Sequence, residues 1–286
     1  MSINCEVIGR VLVVPYGHAM MTMTSSVRPF GDLLRTWRQR RRMSQLDLAL
    51  EAEISQKHLS FVESGRSTPS REMVLTLAEH LDVPLRERNA MLLSAGYAPI
   101  YSERPLDDPA LKPARDAIDL VLKGHEPYPA LAVDRHWTLV AANAAVPPLL
   151  AGIADPTLLE PPVNVLRLSL HPGGLAPQIA NLPEWRAHLL ERLRGQINVT
   201  ADPTLTRLLR ELEGYPIYVE APPVAARDYA GIVVPLRLAT PNGMLSFFST
   251  TTVFGTPLDV TLSELAIEAF FPADDVTAEA LRSGSV

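Results

Sequence analysis

The sequence has a single cysteine, Cys5, and therefore cannot form an internal disulfide. It contains neither C-x-x-C nor H-E-x-x-H, so the usual spacings of metal ligands are missing and we expect no metal site. It also has no phosphate-binding glycine loop, G-x-S-x-G elbow or dinucleotide fingerprint. We therefore expect no cofactor, no catalytic residues and no enzymatic activity. A chain with one thiol fits a reducing compartment, and we expect the cytoplasm.

Long hydrophobic runs are missing as well. The apolar stretch from Val11 to Val14 is far too short to cross a bilayer, and no secretory signal follows it, so we expect no membrane contact. Residues 1–26 have no helix cap and no hydrophobic period, which predicts a disordered extension. We hypothesise that translation starts at Met20, Met21 or Met23.

A strong positive charge is absent too, because the formal net charge of the 286 residues is -6. The two parts of the chain differ, however: residues 1–100 carry 12 Lys or Arg against 10 Asp or Glu, and residues 101–286 carry 14 against 22. With 47% hydrophobic residues, the length allows two buried cores. A basic run, Arg38 with Arg40–Arg42, either meets a phosphate backbone or is a solvated helix end.

The pattern that organises the chain is MSQLDLALEAEISQKHLSFVESG, residues 43–65. Ser44 and Asp47 have the spacing of a capping box, which predicts the start of a helix. Leu46, Ala49 and Leu50 follow at helical spacing and are predicted to be buried. The sequence then predicts a tight turn before a second short helix.

That second helix is capped by Ser55, buries Leu59 and Val62, and ends at Gly65. Burying this face leaves a polar strip exposed, and amide, amine and apolar side chains can read base edges. The candidate DNA contacts are Gln45, Ser55, Gln56, Lys57, Ser60, Phe61 and Arg66. Phe61 is equally compatible with the edge of the core, and the whole pair with an ordinary helical hairpin.

These motifs, with the following R-x-x-P-S, resemble the helix-turn-helix domain of phage-repressor-type, xenobiotic-response-element family transcription regulators. The similarity spans about Phe30 to Tyr97, and by resemblance Ser55–Glu63 is the recognition helix in the major groove of double-stranded DNA. Flanking patterns add three helices, at Phe30–Arg41, after the cap Ser70, and from Pro84 or Leu85 to Ser94. The fold class predicted for residues 27–97 is therefore an all-α, five-helix DNA-binding domain.

A proline-rich linker is predicted at 98–113, an α+β domain with an antiparallel sheet at 114–275, and a flexible tail at 276–286. The α+β domain is predicted to contain strands at Ala130–Val133, Thr138–Ala142, Ile232–Leu238 and Met244–Val253, with a turn at 241–243. Its predicted helices are Ala114–Lys123, with Ile118, Val121 and Leu122 inward, Ala144–Leu150 capped by Asn143, Leu182–Leu193, Pro203–Leu212, and one from Val260 or Thr261 to Ala269.

PALAVDRHWTLVAANAA, NVLRLSLHPGG and MLSFFSTTTVFGTPLDVTLSELAIEAFFPAD resemble the PAS-like ligand-binding domain of MmyB-like regulators. The similarity covers about Leu106 to Asp275, and it implies a sensor for a fatty acid or another small apolar ligand. The segment between Leu212 and Ile232 departs from the usual pattern of the family, because it has no tryptophan and no basic cluster.

Candidate ligand contacts are Trp137, Asn143, Arg167, His171, Trp185 and Phe247. The aromatic residues either line a pocket or form plain core. Arg167 and His171 either hold a ligand carboxylate or cap a helix end. Asn143 is a helix cap, a ligand contact, or both.

Together these features predict a repressor-type homodimer whose DNA binding responds to a ligand, because one short recognition helix reads few bases. Two alternatives stay open. One is an antitoxin-like protein whose second domain binds a protein partner or only dimerises. The other is an acyl-ester hydrolase with a DNA-binding tether, in which turnover would depend on His171.

Overall fold

The computed structural model describes residues 28–216, 234–255 and 259–284. The predicted N-terminal extension at 1–26 lies outside them. The described residues form two compact units, one with the residues up to Arg104 and 259–263, the other with those from Pro105 to Gly255 and from Glu264 onward. No described helix is long and apolar enough to cross a membrane.

The first unit contains the predicted five helices. They are α1 Phe30–Arg40, α2 Gln45–Glu51, α3 Gln56–Glu63, α4 Arg71–His80 and α5 Leu85–Ser94. Serine hydroxyls begin three of them: Ser44 accepts from the N–H of Asp47, Ser55 from that of His58 and Ser70 from that of Met73. Asp47 returns a bond to the N–H of Ser44, which completes the predicted capping box.

The core of this unit is built from one face of each helix. Leu34 and Trp37 of α1, Leu59 and Val62 of α3, and Leu77 of α4 are buried in one cluster. The prediction for α2 is wrong in two positions, because Leu46 and Leu50 are 49% and 69% exposed. Ala49 is buried as predicted, and Leu48 is buried in place of Leu46 and Leu50. The capping box fixed the start of α2 but not which side of its two short turns meets the core.

The second unit is α+β, as predicted. Its helices are α6 Lys112–Gly124, α7 Val146–Leu149, α8 Val165–Leu170, α9 Leu182–Thr200, α10 Pro203–Glu213 and α12 Asp275–Ser283, with α11 Val260–Ser263 assigned to the first unit. Its strands are β1 Ala130–Val133, β2 Leu139–Ala142, β3 Leu236–Thr240, β4 Gly243–Val253 and β5 Ala266–Pro272. Short 3₁₀ turns occupy Pro109–Leu111, Pro156–Leu159 and Ala176–Gln178.

The five strands form one antiparallel sheet in the order β2-β1-β5-β4-β3. The predicted hairpin is present, because β3 and β4 pair from Leu236 opposite Phe247 to Thr240 opposite Gly243. The last strand, β5, lies in the middle of the sheet, where Ala266–Ala269 pair with β1 and Ala266–Pro272 pair with β4. The α+β, PAS-like fold class is confirmed.

The predicted helix from Val260 or Thr261 to Ala269 is wrong in its second half. A helix of four residues ends at Ser263, and the chain then becomes β5. The local sequence LSELAIEA favours a helix, but Ile267 and Glu268 are buried between two strands, so sheet pairing outweighs propensity.

The chain end and α6 also differ from the prediction. Residues 275–283 form helix α12 in place of a flexible tail, because Asp274 caps it and the Thr277 hydroxyl accepts from the N–H of Ser246. On α6, Ile118 and Leu122 are buried as predicted, whereas Val121 is 49% exposed. A helix of this length buries one stripe, and Val121 lies beside it.

Asn143 does not cap a helix. The helix predicted at Ala144–Leu150 is the shorter α7, which begins at Val146 and has no side-chain cap. The Asn143 carboxamide instead accepts from the N–H of Ala130 and donates to the carbonyls of Leu122 and Tyr128. It therefore fastens the end of α6 to the start of β1.

Candidate functional site

Helix α3 exposes a polar strip beside its buried face. Leu59 and Val62 are 0% and 1% exposed, and they hold the helix to the core of the first unit. Gln56 and Lys57, in its first turn, are exposed, and Ser55 just before it is exposed as well. Ser60 and Phe61, one turn later, are partly exposed. A strip of this kind has the donors, acceptors and apolar groups that read base edges in a major groove.

Phe61 organises two cations on this surface. The Lys57 ammonium lies 5.7 Å from the centre of the Phe61 ring, and the Arg66 guanidinium carbon lies 5.9 Å from it. Cations at this distance are attracted by the face of the ring. The aromatic ring therefore holds two positive charges beside α3, one at its start and one just beyond its end.

A buried ion pair fixes α3 to α1. The side chain of Glu63 is fully buried, and Arg38 donates to its two carboxylate oxygens at 2.6 Å and 3.0 Å. Gln45, at the start of α2, donates to the same carboxylate at 2.7 Å. Of the predicted DNA contacts, Gln45 is thus held by a hydrogen bond inside the domain, and its side chain is only partly exposed.

The Glu63 carboxyl is ionised in this network. Burial disfavours its charged form, but the hydrogen bonds from Arg38 and Gln45 and the positive charges of Arg38 and Arg35 outweigh burial. They hold the pKa of Glu63 below its ordinary value of 4.5. The network therefore positions three helices at neutral pH.

The basic run beside this unit is divided between two roles. Arg38 points inward to Glu63, and Arg41 donates to the carbonyl oxygens of Leu81 and Asp82 at 2.7 Å and 2.8 Å. Arg40 and Arg42 are exposed. The Arg40 guanidinium carbon lies 5.7 Å from the centre of the Trp37 ring, and both exposed arginines are accessible to a phosphate backbone.

The second unit contains an apolar cavity of about 120 Å³, partly open to solvent, between the sheet and helices α7, α8 and α9. Its walls are mainly leucine and aromatic side chains. The residues that line it are Pro129, Leu131, Trp137, Leu139, Val146, Leu149, Leu150, Val165, Leu166, Leu168, Ser169, Leu175, Trp185, Leu189, Arg192, Leu236, Leu238, Phe247, Ser249, Glu268 and Phe270. An apolar cavity with a few polar groups is the usual form of a small-molecule site.

One end of this cavity is charged. Arg192 of α9 donates to the two carboxylate oxygens of Glu268 at 2.7 Å and 3.2 Å, and to the Thr251 hydroxyl at 2.9 Å. That hydroxyl donates to Glu268 at 2.8 Å, and the Arg192 guanidinium lies 5.0 Å from the centre of the Trp137 ring. We name Arg192, Glu268 and Thr251 the polar cluster.

The histidine next to this cluster is neutral at pH 7. Burial lowers the pKa of His188, and the positive charge of Arg192 lowers it further, against the opposing effect of Glu268. The charged end of the cavity therefore consists of Arg192 and Glu268, whose charges cancel, and His188 adds no positive charge.

Three predicted ligand contacts line the cavity: Trp137, Trp185 and Phe247. The other three lie elsewhere. Asn143 is engaged by the backbone between α6 and β1. Arg167 pairs with Glu211 at 2.7 Å, and the ring of His171 packs against Tyr215 with 5.1 Å between ring centres.

Sequence reasoning missed the polar cluster. Glu268 was placed on a predicted helix, which hid its position on a central strand. Arg192 occupies an ordinary place in the leucine-rich helix α9, so nothing in its neighbours marks it. The one available signal is the sequence AIEAFF, in which a single acid stands among apolar residues that favour a strand.

Within the described residues, no group of three or more His, Cys, Asp or Glu side chains is placed to hold a metal ion.

Two family models match the chain. Residues 114–283 match the MmyB-like transcription regulator ligand binding domain, and residues 34–88 match a helix-turn-helix model. The first match contains the cavity and the second contains α2 and α3.

Individual relatives cover the chain only in part. A segment of 123 residues is 37% identical to a protein of Methanoculleus marisnigri named as an HTH-type transcriptional regulatory protein, and it spans 40% of this chain and 38% of that protein. The crystal structure of the clp gene regulator ClgR from Corynebacterium glutamicum is 23% identical over 34% of this chain and 90% of that chain, with a TM-score of 0.21. A similarity at that score supports no argument about this molecule.

Proposed function

Since the chain belongs to the family of transcription regulators with an MmyB-like ligand-binding domain, we propose how its two sites work together. Helix α3 reads an operator in the major groove, and a small apolar or fatty-acid-like ligand in the cavity changes the affinity of the protein for that operator. The observation that carries this proposal is that one chain combines an exposed polar recognition helix with a largely apolar cavity.

The DNA contacts follow from the surface of α3. Gln56 and Lys57 face solvent at the end of α3 where helix-turn-helix proteins contact base edges. Glutamine pairs with adenine, and lysine donates to guanine acceptors. Ser55, Ser60 and Phe61 complete the surface that meets the groove. Gln45 and Arg66 flank it and are assigned to the phosphate backbone.

The ligand acts by shifting a population. A compound that binds one arrangement of the second domain more tightly than another favours that arrangement, and the coupling can be no larger than the difference in affinity. Couplings between two sites in one protein are typically about 1–3 kcal/mol, which is about 5- to 150-fold in affinity. We propose a repressor-type homodimer, because two recognition helices about 34–36 Å apart read two half-sites of one operator.

The DNA-binding assignment is tested by selecting an operator from random DNA with the full-length protein and measuring its affinity by fluorescence anisotropy. We expect the double substitution Gln56→Ala with Lys57→Ala to abolish the preference for the operator over scrambled DNA, because each lost base contact costs about 1–3 kcal/mol of discrimination. Lys123→Ala, which removes an exposed lysine from α6, is the matched control and should leave the preference intact.

A double variant that still prefers the operator as strongly as the wild type would contradict the assignment of α3. Native mass spectrometry of the same preparation measures the subunit count. A monomer at concentrations that saturate the operator would contradict the proposed homodimer.

A further inference from the structure

The polar cluster and the size of the cavity point to the chemical class of the ligand, an inference that rests on the proposed ligand function. We propose that the cavity takes a compact, uncharged, ring-sized apolar molecule with one hydroxyl, amide or carbonyl group, such as a small phenol or aromatic amide. The same features disfavour an extended fatty acid. The polar group of the ligand meets Arg192 and Glu268.

The first argument is charge. The Arg192 guanidinium is already neutralised by Glu268, whose side chain is 5% exposed. A ligand carboxylate would either lie beside the buried Glu268 carboxylate or displace it from Arg192. Like charges in a buried site repel strongly, and a buried carboxylate that loses its partner is costly. A cationic ligand meets the same difficulty with Arg192, so the cavity favours a neutral one.

The second argument is hydrogen-bonding capacity. A guanidinium has five N–H donors, and three bonds from Arg192 end within the polar cluster. A carboxylate has about four acceptor positions, and Glu268 accepts three bonds here, two from Arg192 and one from Thr251. The pair can thus donate two more bonds and accept one more. A hydroxyl or a primary amide does both, whereas a carboxylate only accepts.

The third argument is volume. The cavity holds about 120 Å³. An engineered apolar cavity of about 150 Å³ binds benzene, and sites for drug-sized ligands have about 300–1,000 Å³. The space beside the polar cluster therefore fits a single substituted ring. Trp137, Trp185 and Phe247 on its walls suit an aromatic or compact apolar ring.

Isothermal titration calorimetry of the full-length protein tests this class with four compounds. 4-Methylbenzamide and 4-methylbenzoate have nearly the same shape and differ in charge, 4-ethylphenol supplies a hydroxyl, and tetradecanoate is the extended acid. We expect the amide and the phenol to bind, and the amide to bind at least about tenfold more tightly than the benzoate, because a buried like charge costs several kcal/mol. Tetradecanoate should bind more weakly than the amide.

The substitution Glu268→Gln tests whether the Glu268 carboxylate causes the preference for a neutral ligand. Removing the carboxylate leaves Arg192 with an uncompensated charge, so the preference for the amide over the benzoate should fall by at least about tenfold. Glu211→Gln is the matched control, because Glu211 accepts the same kind of two-point bond from Arg167 but does not line the cavity. It should leave the preference unchanged. If Glu268→Gln does not fold, the affinities of the wild type for the amide and the benzoate still test the proposal.

Benzoate or tetradecanoate binding the wild type as tightly as the amide overturns the inference, and so does a failure of all four compounds to bind. If an acid binds and also shifts operator affinity, the proposed regulator stands and the inference on ligand class falls. If the amide binds as expected but operator affinity stays the same, the inference stands and the proposed ligand control of DNA binding falls.

Discussion

Glu63 connects α3, the proposed recognition helix, to two other helices. It lies at the end of α3, is fully buried, and accepts from Arg38 and Gln45 on two other helices. Its removal leaves the Arg38 charge without a carboxylate partner, although the Arg38 side chain is only 11% exposed. We therefore expect the loss of this network to reduce the stability of the protein more than the loss of an exposed ion pair does.

Glu63→Ala should destabilise the first unit by about 3–5 kcal/mol, the usual result of removing one partner from a buried pair. Thermal unfolding of the full-length protein, with hydrogen exchange used to assign the transition to residues 30–94, measures the change. Lys112→Ala is the matched control, because the Lys112–Asp116 pair is 66% and 59% exposed and such pairs contribute about 0.3–0.5 kcal/mol. Equal effects of the two substitutions would refute the role assigned to the network.

The same carboxyl predicts a pH dependence. The pKa of Glu63 is lower in the folded protein than its ordinary value of 4.5, so ionised Glu63 stabilises the folded state above that pH. This contribution is lost as the pH falls from 4.5 through the lower, folded-state pKa. Glu63→Gln should therefore lose less stability than the wild type as the pH falls below 4.5. Parallel acid unfolding curves for the two proteins would contradict this prediction.

At the scale of elements, the contact between α1 and α3 sets the position of α3, the proposed recognition helix. Gly31, in the first turn of α1, faces the end of α3 without a side chain. A Cβ atom there would lie 2.3 Å from the carbonyl oxygen of Glu63 and 2.9 Å from that of Val62. Backbone atoms cannot move aside as a flexible side chain can, so the two helices would have to separate.

Gly31→Ala should therefore destabilise the first unit by about 1–3 kcal/mol, the usual cost of overpacking, and weaken operator binding. Gly195→Ala is the contrasting control. Gly195 lies inside α9 with no atom within 4 Å of an added Cβ, so alanine should stabilise that helix by about 0.5–1 kcal/mol. Thermal unfolding and operator anisotropy measure both variants. A neutral or stabilising effect of Gly31→Ala would mean that the helices tolerate separation.

Elements with strong local signals were predicted well. Ser44, Ser55 and Ser70 mark the starts of α2, α3 and α4 because their hydroxyls cap backbone N–H groups. The turn at 241–243 marked the β3–β4 hairpin for a similar local reason. Strand β5 could not be found this way, because its strand conformation depends on pairing with β1 and β4, which are distant in sequence.

The candidate sites also differ in how far local sequence predicts them. The exposed strip of α3 could be predicted because a capped helix with two buried positions determines which residues face outward. The aromatic walls of the cavity could be proposed but not distinguished from plain core. The polar cluster could not be predicted, because it joins α9 to two strands. Its acid, Glu268, lies on β5, whose local sequence favours a helix.

At the scale of the whole molecule, the chain combines a helix-turn-helix with a domain that contains a ligand-sized cavity, and its family is that of transcription regulators. The central claim is that occupation of the cavity changes the affinity of α3 for DNA. Neither site alone tests this claim, since each could work without the other. The test must therefore compare the operator affinity of the protein with the cavity empty and with a ligand bound in it.

The measurement is fluorescence anisotropy of the selected operator with the full-length wild type, with and without saturating 4-methylbenzamide, in samples whose cavity occupancy is verified by calorimetry. The account predicts a change in operator affinity of about fivefold or more, the lower end of typical couplings between sites. An operator affinity that stays the same while calorimetry shows the cavity occupied would contradict it.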